Sequence, residues 1–117
     1  MYTENEAEYI LIEYLRNEAP LIGDDYVIRK NSTIYKSYGW LFYYDSKKRN
    51  EGDEDMALSG NCPYIIDKHT GSICQIRSIN INEAIKEFES RYVDDDHIDI
   101  DILRIEQRYS DNRFVLA

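Results

Sequence analysis

The stretch Tyr38-Gly39-Trp40-Leu41-Phe42-Tyr43-Tyr44 constrains the fold more than any other part of the chain. It holds the single tryptophan, and nearly every position is apolar or aromatic. In a strand, alternate side chains face opposite sides, so Trp40, Phe42 and Tyr44 share one face and Leu41 and Tyr43 the other. A strand that is apolar on both faces is normally internal to a sheet and covered on both sides. The stretch therefore predicts the middle strand of a small α+β domain, with layers above and below it.

Two segments supply those layers. Thr3 and Glu6 have the spacing of a capping box, and Ala7, Ile10, Leu11, Tyr14 and Leu15 follow at helical intervals. Glu8, Glu13, Arg16 and Asn17 fall outside that stripe and are expected in water, and Pro20 and Gly23 end the helix. A second amphipathic helix is expected from about Asn82 to Tyr92, capped by Asn80 or Asn82. Its buried stripe is Ile81, Ala84, Ile85, Phe88 and Tyr92.

Strands occupy much of the remainder. Tyr26 to Lys30 reads as one, Lys30 to Thr33 as a turn, and Ile34 through Tyr44 as its hairpin partner. Gly39 marks a bulge or a close approach of another group. Asn61 to Asp67 is a third strand that Pro63 opens, since proline donates no ladder hydrogen bond. Lys68-His69-Thr70-Gly71 is a tight turn, with Gly71 free to take positive φ. Ser72 to Arg77 returns as the fourth strand, which puts Cys74 opposite Tyr64 or Ile65 rather than Cys62. Residues 97–102 alternate isoleucine with aspartate and predict a further strand, although Ile98, Ile102, Ile105 and Tyr109 also fit helical spacing. Arg113 to Leu116 reads as a last short strand. The fold class is α+β, a mainly antiparallel sheet of about four to six strands covered by two amphipathic helices in one domain over 1–117.

No catalytic constellation emerges. The two histidines, His69 and His97, lie in a turn and beside an acidic run, outside any metal or protease motif. The two cysteines, Cys62 and Cys74, are too few for a disulfide framework and read as buried free thiols in a reducing compartment. Calcium loops need spaced carboxylates and usually a glycine, which 94–101 lacks. The expectation is therefore a non-enzyme without metal or cofactor. An acidic, polar start unlike a signal peptide, and the absence of any apolar run of about 20 residues, predict a cytoplasmic protein that does not span a membrane.

Charge carries what remains. The formal net charge is −9, which disfavours nucleic acid and anionic membrane and favours a basic partner. The acidity concentrates in Glu51, Asp53, Glu54 and Asp55, within an exposed loop from Asp45 to Ser59, and in Asp94, Asp95, Asp96, Asp99 and Asp101. Asp99 and Asp101 would share a face of the expected strand. These residues are the candidate partner-binding set, with Tyr43 from the aromatic strand. Eleven tyrosines make some surface aromatics expected, and tyrosine suits protein interfaces. Trp40, Phe42, Pro63 and Gly71 read as scaffold.

Taken together, Tyr38 to Tyr44 and Gly60-Asn61-Cys62-Pro63-Tyr64-Ile65-Ile66-Asp67-Lys68-His69-Thr70-Gly71-Ser72-Ile73 resemble the Immunity protein 35 / YrhB-like domain family. Its pattern is a glycine–tryptophan–aromatic strand, a polar loop, then G-N-x-P, two hydrophobics and D-K-x-T-G. The resemblance covers about residues 5–92, and 93–117 would be an extension made of strands. It implies an immunity protein of a bacterial polymorphic-toxin system that binds and neutralises a cognate toxin without catalysis of its own. Acidic inhibitors suit basic toxins such as nucleases. The alternative is a chaperone-like or stress-related protein-binding module, which would need an exposed apolar patch.

Overall fold

The computed structural model describes residues 1–52, 62–109 and 113–117. Helix α1, Glu4–Glu18, begins with the expected capping box: Thr3 Oγ1 accepts from the Glu6 amide, and the Glu6 carboxylate accepts from the Thr3 amide at 2.9 Å. Strands β1 (Tyr26–Ile28), β2 (Ile34–Lys36), β3 (Gly39–Phe42) and β4 (Tyr44–Ser46) follow, then helix α2, Lys47–Gly52. Strands β5 (Tyr64–Asp67) and β6 (Ile73–Ile76) form a hairpin that leads to helix α3, Ile81–Tyr92. The two-residue strands β7 (Val93–Asp94) and β8 (His97–Ile98), helix α4 (Ile100–Tyr109) and strand β9 (Phe114–Leu116) complete the order among the described residues.

The main sheet has five antiparallel strands in the order β2-β3-β5-β6-β9. The aromatic stretch sits one place off centre; the middle strand is β5, buried along its whole length. The facing of β3 is as its alternation demands. Phe42 and Trp40 lie with Ala7, Leu11 and Leu15 of α1, while Leu41 packs on the opposite side with Ala84, Ile85 and Phe88 of α3. Tyr43 joins that second side and Tyr44 the first. Ile65 pairs with Cys74, so the cysteines are not opposite each other; both are free, but only Cys74 is buried as expected, Cys62 being half-buried before β5. Pro63 is fully buried immediately before β5.

The exposed loop expected from Asp45 does not begin there, since Asp45 is a buried residue of β4 and α2 follows over Lys47–Gly52. Four further sequence expectations give way to tertiary contacts. First, 34–44 is not one strand. It turns back at Ser37 and Tyr38, so β2 pairs with β3, and β1 pairs with β4, meeting the expected partner strand only at its last residue, Tyr44. Gly39 explains the break. A Cβ there would lie 2.0 Å from the Ile66 carbonyl oxygen, so only glycine lets β3 enter beside β5. Second, 97–102 is strand only as far as Ile98, and the helix from Ile100 replaces the rest. Third, the covering layers include α4 besides the two expected helices, through Leu103. Fourth, Glu8 is buried rather than wet, at 8% exposure. The 3₁₀ turn Lys30–Ser32 reaches that side of α1, where Lys30 Nζ stands 3.6 Å from Glu8 Oε1.

The C-terminal half is tied by polar contacts at its surface. Glu106 of α4 accepts from Arg91 at 2.7 Å and from the Tyr92 hydroxyl at 2.6 Å, and Arg113 reaches Glu87 at 2.7 Å. Gln107 bonds both backbone groups of Leu116, at 3.3 and 2.5 Å. On the other side, Arg16 forks onto both oxygens of Asp25. Among the described residues no helix is long and apolar enough to cross a membrane.

Phe42 is wholly buried and Trp40 only half-buried, stacked on it at 6.2 Å. Phe42→Ala is expected to cost about 3–5 kcal/mol and Trp40→Ala distinctly less, measured by urea denaturation. The opposite ranking would contradict this assignment of the core. The Arg16 fork, followed by the Tyr26 amide, draws the Asp25 carboxyl down to about 2. A depressed carboxylate contributes stability that is present above its unfolded value of about 4. That contribution is lost as pH falls towards about 2. The stability difference between wild type and Asp25→Asn should therefore shrink between these limits and stay flat from pH 5 to 7.

Candidate partner-binding surface

The acidic run 94–101 is shaped by the hairpin β7–β8 and the start of α4. Val93 pairs with Ile98 and Asp94 with His97. Ile98 is drawn into the core with Tyr92 and Leu103, which leaves Asp94 and Asp95 outside. Asp95 takes φ of +60° at the tip, a conformation aspartate tolerates better than most side chains. Asp99 then opens α4. Its Oδ1 accepts from the Ile102 amide at 3.0 Å and its backbone oxygen from the Leu103 amide at 3.1 Å, which is N-cap geometry. Asp101 lies in the first turn, where a negative charge suits the helix end.

An open groove of about 820 Å³ runs between this segment and the β5–β6 turn. Asp94, Asp95, Asp99 and Asp101 line it, and Arg104 is the only arginine or lysine among its lining residues. The Arg104 guanidinium stands 3.9 Å from Asp101, whose side chain remains 91% exposed. Next to the groove, α4 presents Ile102, Ile105 and Tyr109, which are 43%, 56% and 83% exposed. At 100° per residue these three fall within about 60° of one another, turned away from buried Leu103. The helical spacing legible in the sequence was thus real, but its apolar members Ile102, Ile105 and Tyr109 line the outer face.

Asp96 turns away from the groove. It is half-buried, with Oδ1 2.7 Å from His97 Nδ1 and Oδ2 3.8 Å from Lys68 Nζ. Burial works against its ionisation, but His97 and Lys68 outweigh burial and hold its carboxyl below the ordinary carboxylate range. His69 arrives from the β5–β6 turn. Its Nε2 is 3.2 Å from the Asp96 carbonyl oxygen, and its ring stacks on that of His97 at 4.0 Å and 7°. His69 and Asp96 are 27 positions apart, so spacing gave no hint of this meeting. The only local trace is that each histidine has an aspartate within two positions, Asp67 for His69 and Asp96 for His97.

The β5–β6 turn owes its shape to Asp67. Its carboxylate, 2% exposed, accepts from the His69 amide at 2.9 Å and the Thr70 hydroxyl at 2.7 Å. The Gly71 amide bonds the Asp67 carbonyl at 2.8 Å. Gly71 takes φ of +73°, and a Cβ there would meet the Tyr2 ring at 3.0 Å. Asp67-Lys68-His69-Thr70-Gly71 is thus a self-bonded turn.

Of the other candidates, Glu51 belongs to α2, and its side chain lies outside the described residues, as do Asp53, Glu54 and Asp55. Tyr43 is half-buried against the core beneath α3, and burial pushes its phenol up; it does not line the groove. Burial also pushes the Cys74 thiol up to about 12, the reverse of an activated nucleophile.

No family model matches the chain, and no solved structure does. YrhB, an uncharacterized protein of Escherichia coli strain K12, is 37% identical over 57 residues. The match takes in 48% of this chain and 57% of the relative. The chain therefore spans little more than half the length of the curated relative it matches.

Asp99→Ala should remove the cap of α4 at a cost of about 1 kcal/mol, with faster amide exchange at Ile102. Unchanged exchange there would show that the cap contributes nothing.

Proposed function

We propose that the chain is a non-catalytic binding protein that engages a basic protein through the groove and the adjoining face of α4. The observation that carries this reading is the convergence of Asp94, Asp95, Asp99 and Asp101 beside the exposed Ile102, Ile105 and Tyr109. Interfaces with specific affinity combine apolar or aromatic anchors with a charged rim. The anchors slow dissociation, and the rim steers encounter. The net charge of −9 extends that steering over the whole molecule. The partial similarity to YrhB and the Gly-Trp and D-K-x-T-G motifs support a finer form of the proposal. In that form the partner is a toxin of a polymorphic-toxin system, such as a basic nuclease, and this chain neutralises it in the cytoplasm.

The exposed ridge of α4 also favours a second reading, a chaperone-like module that holds apolar segments. The two readings separate by experiment. An inhibitor should bind the product of a neighbouring toxin gene at one-to-one stoichiometry and protect cells that express it. A chaperone-like module should instead suppress aggregation of unrelated heated enzymes. For the inhibitor, the triple variant Asp94→Asn, Asp95→Asn, Asp101→Asn should lower the association rate about tenfold at low salt and flatten its salt dependence. Ile105→Asp should act mainly on dissociation. Stopped-flow rates that are unchanged in both variants would remove this surface from the interface.

A further inference from the structure

Of the stacked histidines only His97 lines the groove, yet with Asp96 the two form a set of a different kind. One donor atom from each of His69, Asp96 and His97 lies within 4.8 Å of the other two. We propose that these residues bind one divalent transition-metal ion of the zinc class, which would clamp the β5–β6 turn to the β7–β8 hairpin.

The donor chemistry selects the ion. Two imidazoles and one carboxylate form a borderline set that suits Zn²⁺, Co²⁺ or Ni²⁺, whereas magnesium and calcium prefer all-oxygen shells. Zinc takes nitrogen and oxygen donors at about 2.0–2.1 Å in a tetrahedron, which places donors roughly 3.3 Å apart. The separations of up to 4.8 Å must therefore close by about 1.5 Å. Rotation of side chains supplies this, because His69 and Asp96 are half-buried and His97 exposed. The backbone is already in place. Asp67 fixes the His69 amide, the pairing of Asp94 with His97 fixes the hairpin, and the Lys68–Asp96 contact joins the two. Lys68 engages Oδ2 of Asp96, which leaves Oδ1 facing the histidine. The rings now stack face to face, and imidazole lone pairs lie in the ring planes, so the exposed His97 must leave the stack and tilt until both rings point at one ion. Three protein donors leave a fourth position for water.

The proposal does not depend on the partner-binding reading, because binding of the ion alone tests it. The untagged protein, stripped with chelator, would be titrated with Zn²⁺ and Co²⁺ by calorimetry and absorption. One ion per chain is expected at micromolar or tighter affinity, with visible Co²⁺ bands of a tetrahedral site and a metal-dependent rise in melting temperature. His69→Ala, His97→Ala and Asp96→Asn should each weaken binding at least about tenfold, while Asp101→Asn should not. Circular dichroism checks that each variant is folded. The wild type alone gives an independent readout, because the chain has only two histidines. Substoichiometric Co²⁺ should shift or broaden both sets of imidazole proton signals together. Absence of saturable binding, binding that survives in the His69→Ala, His97→Ala double variant, or undisturbed imidazole signals would overturn the proposal.

Discussion

The buried carboxylate of Asp67 is the interaction on which most of the architecture converges. It stands at the end of the central strand β5 and accepts hydrogen bonds from the next turn. That turn is a junction. The Lys68 carbonyl accepts from Tyr2 at the start of the chain, and the Lys68 amide donates to Tyr38 at the entry to β3. Lys68 and His69 then reach the β7–β8 hairpin. A carboxylate taken out of water costs free energy for every oxygen left without a partner. Satisfying it here fixes the turn and, through the turn, the positions of three separate segments.

Where sequence was informative, the cause is local. The capping box and apolar stripe set α1, and Asn80 with its stripe sets α3, because both signals act within a few residues. The two faces of β3 follow from pleating alone. The β5–β6 hairpin and the conformation of Gly71 follow from turn chemistry. What sequence hid depends on partners distant in the chain. The close approach at Gly39 was legible from the glycine itself, but not that the group approaching is the Ile66 carbonyl, nor that the chain turns back at Ser37 and Tyr38. Glu8 is buried by a turn more than twenty residues away. The stretch 97–102 satisfied two periodicities at once. Asp99 resolved the conflict by capping a helix, a role that competes directly with its place in a strand alternation.

The acidic surface was only half legible. Composition identified an excess of carboxylates but not their fates. Asp67 and Asp45 are structural and buried, Asp99 is a cap, Asp25 and Glu106 neutralise arginines, and Asp94, Asp95 and Asp101 remain in water. Net charge alone cannot sort these, because sorting requires knowing which carboxylates meet a donor. His69 was read correctly as a turn residue, and His97, read as lying beside an acidic run, is an exposed residue of β8. Their stacking was invisible because it depends on two hairpins packing tip to tip.

One consequence of the contacts at the chain's C-terminal strand extends beyond folding. Alternate residues of β9 donate and accept towards β6, so the amide and carbonyl of Leu116 face outwards, where a further strand would attach. Gln107 meets both with its side-chain amide. A primary amide can present one of its N–H donors and its oxygen side by side, as a peptide group on a neighbouring strand would. Gln107 therefore imitates a neighbouring strand for the length of one residue and closes that border of the sheet against another chain. A helix that offers an apolar face to solvent on its outer side thus guards, on its inner side, the site where uncontrolled self-association would begin.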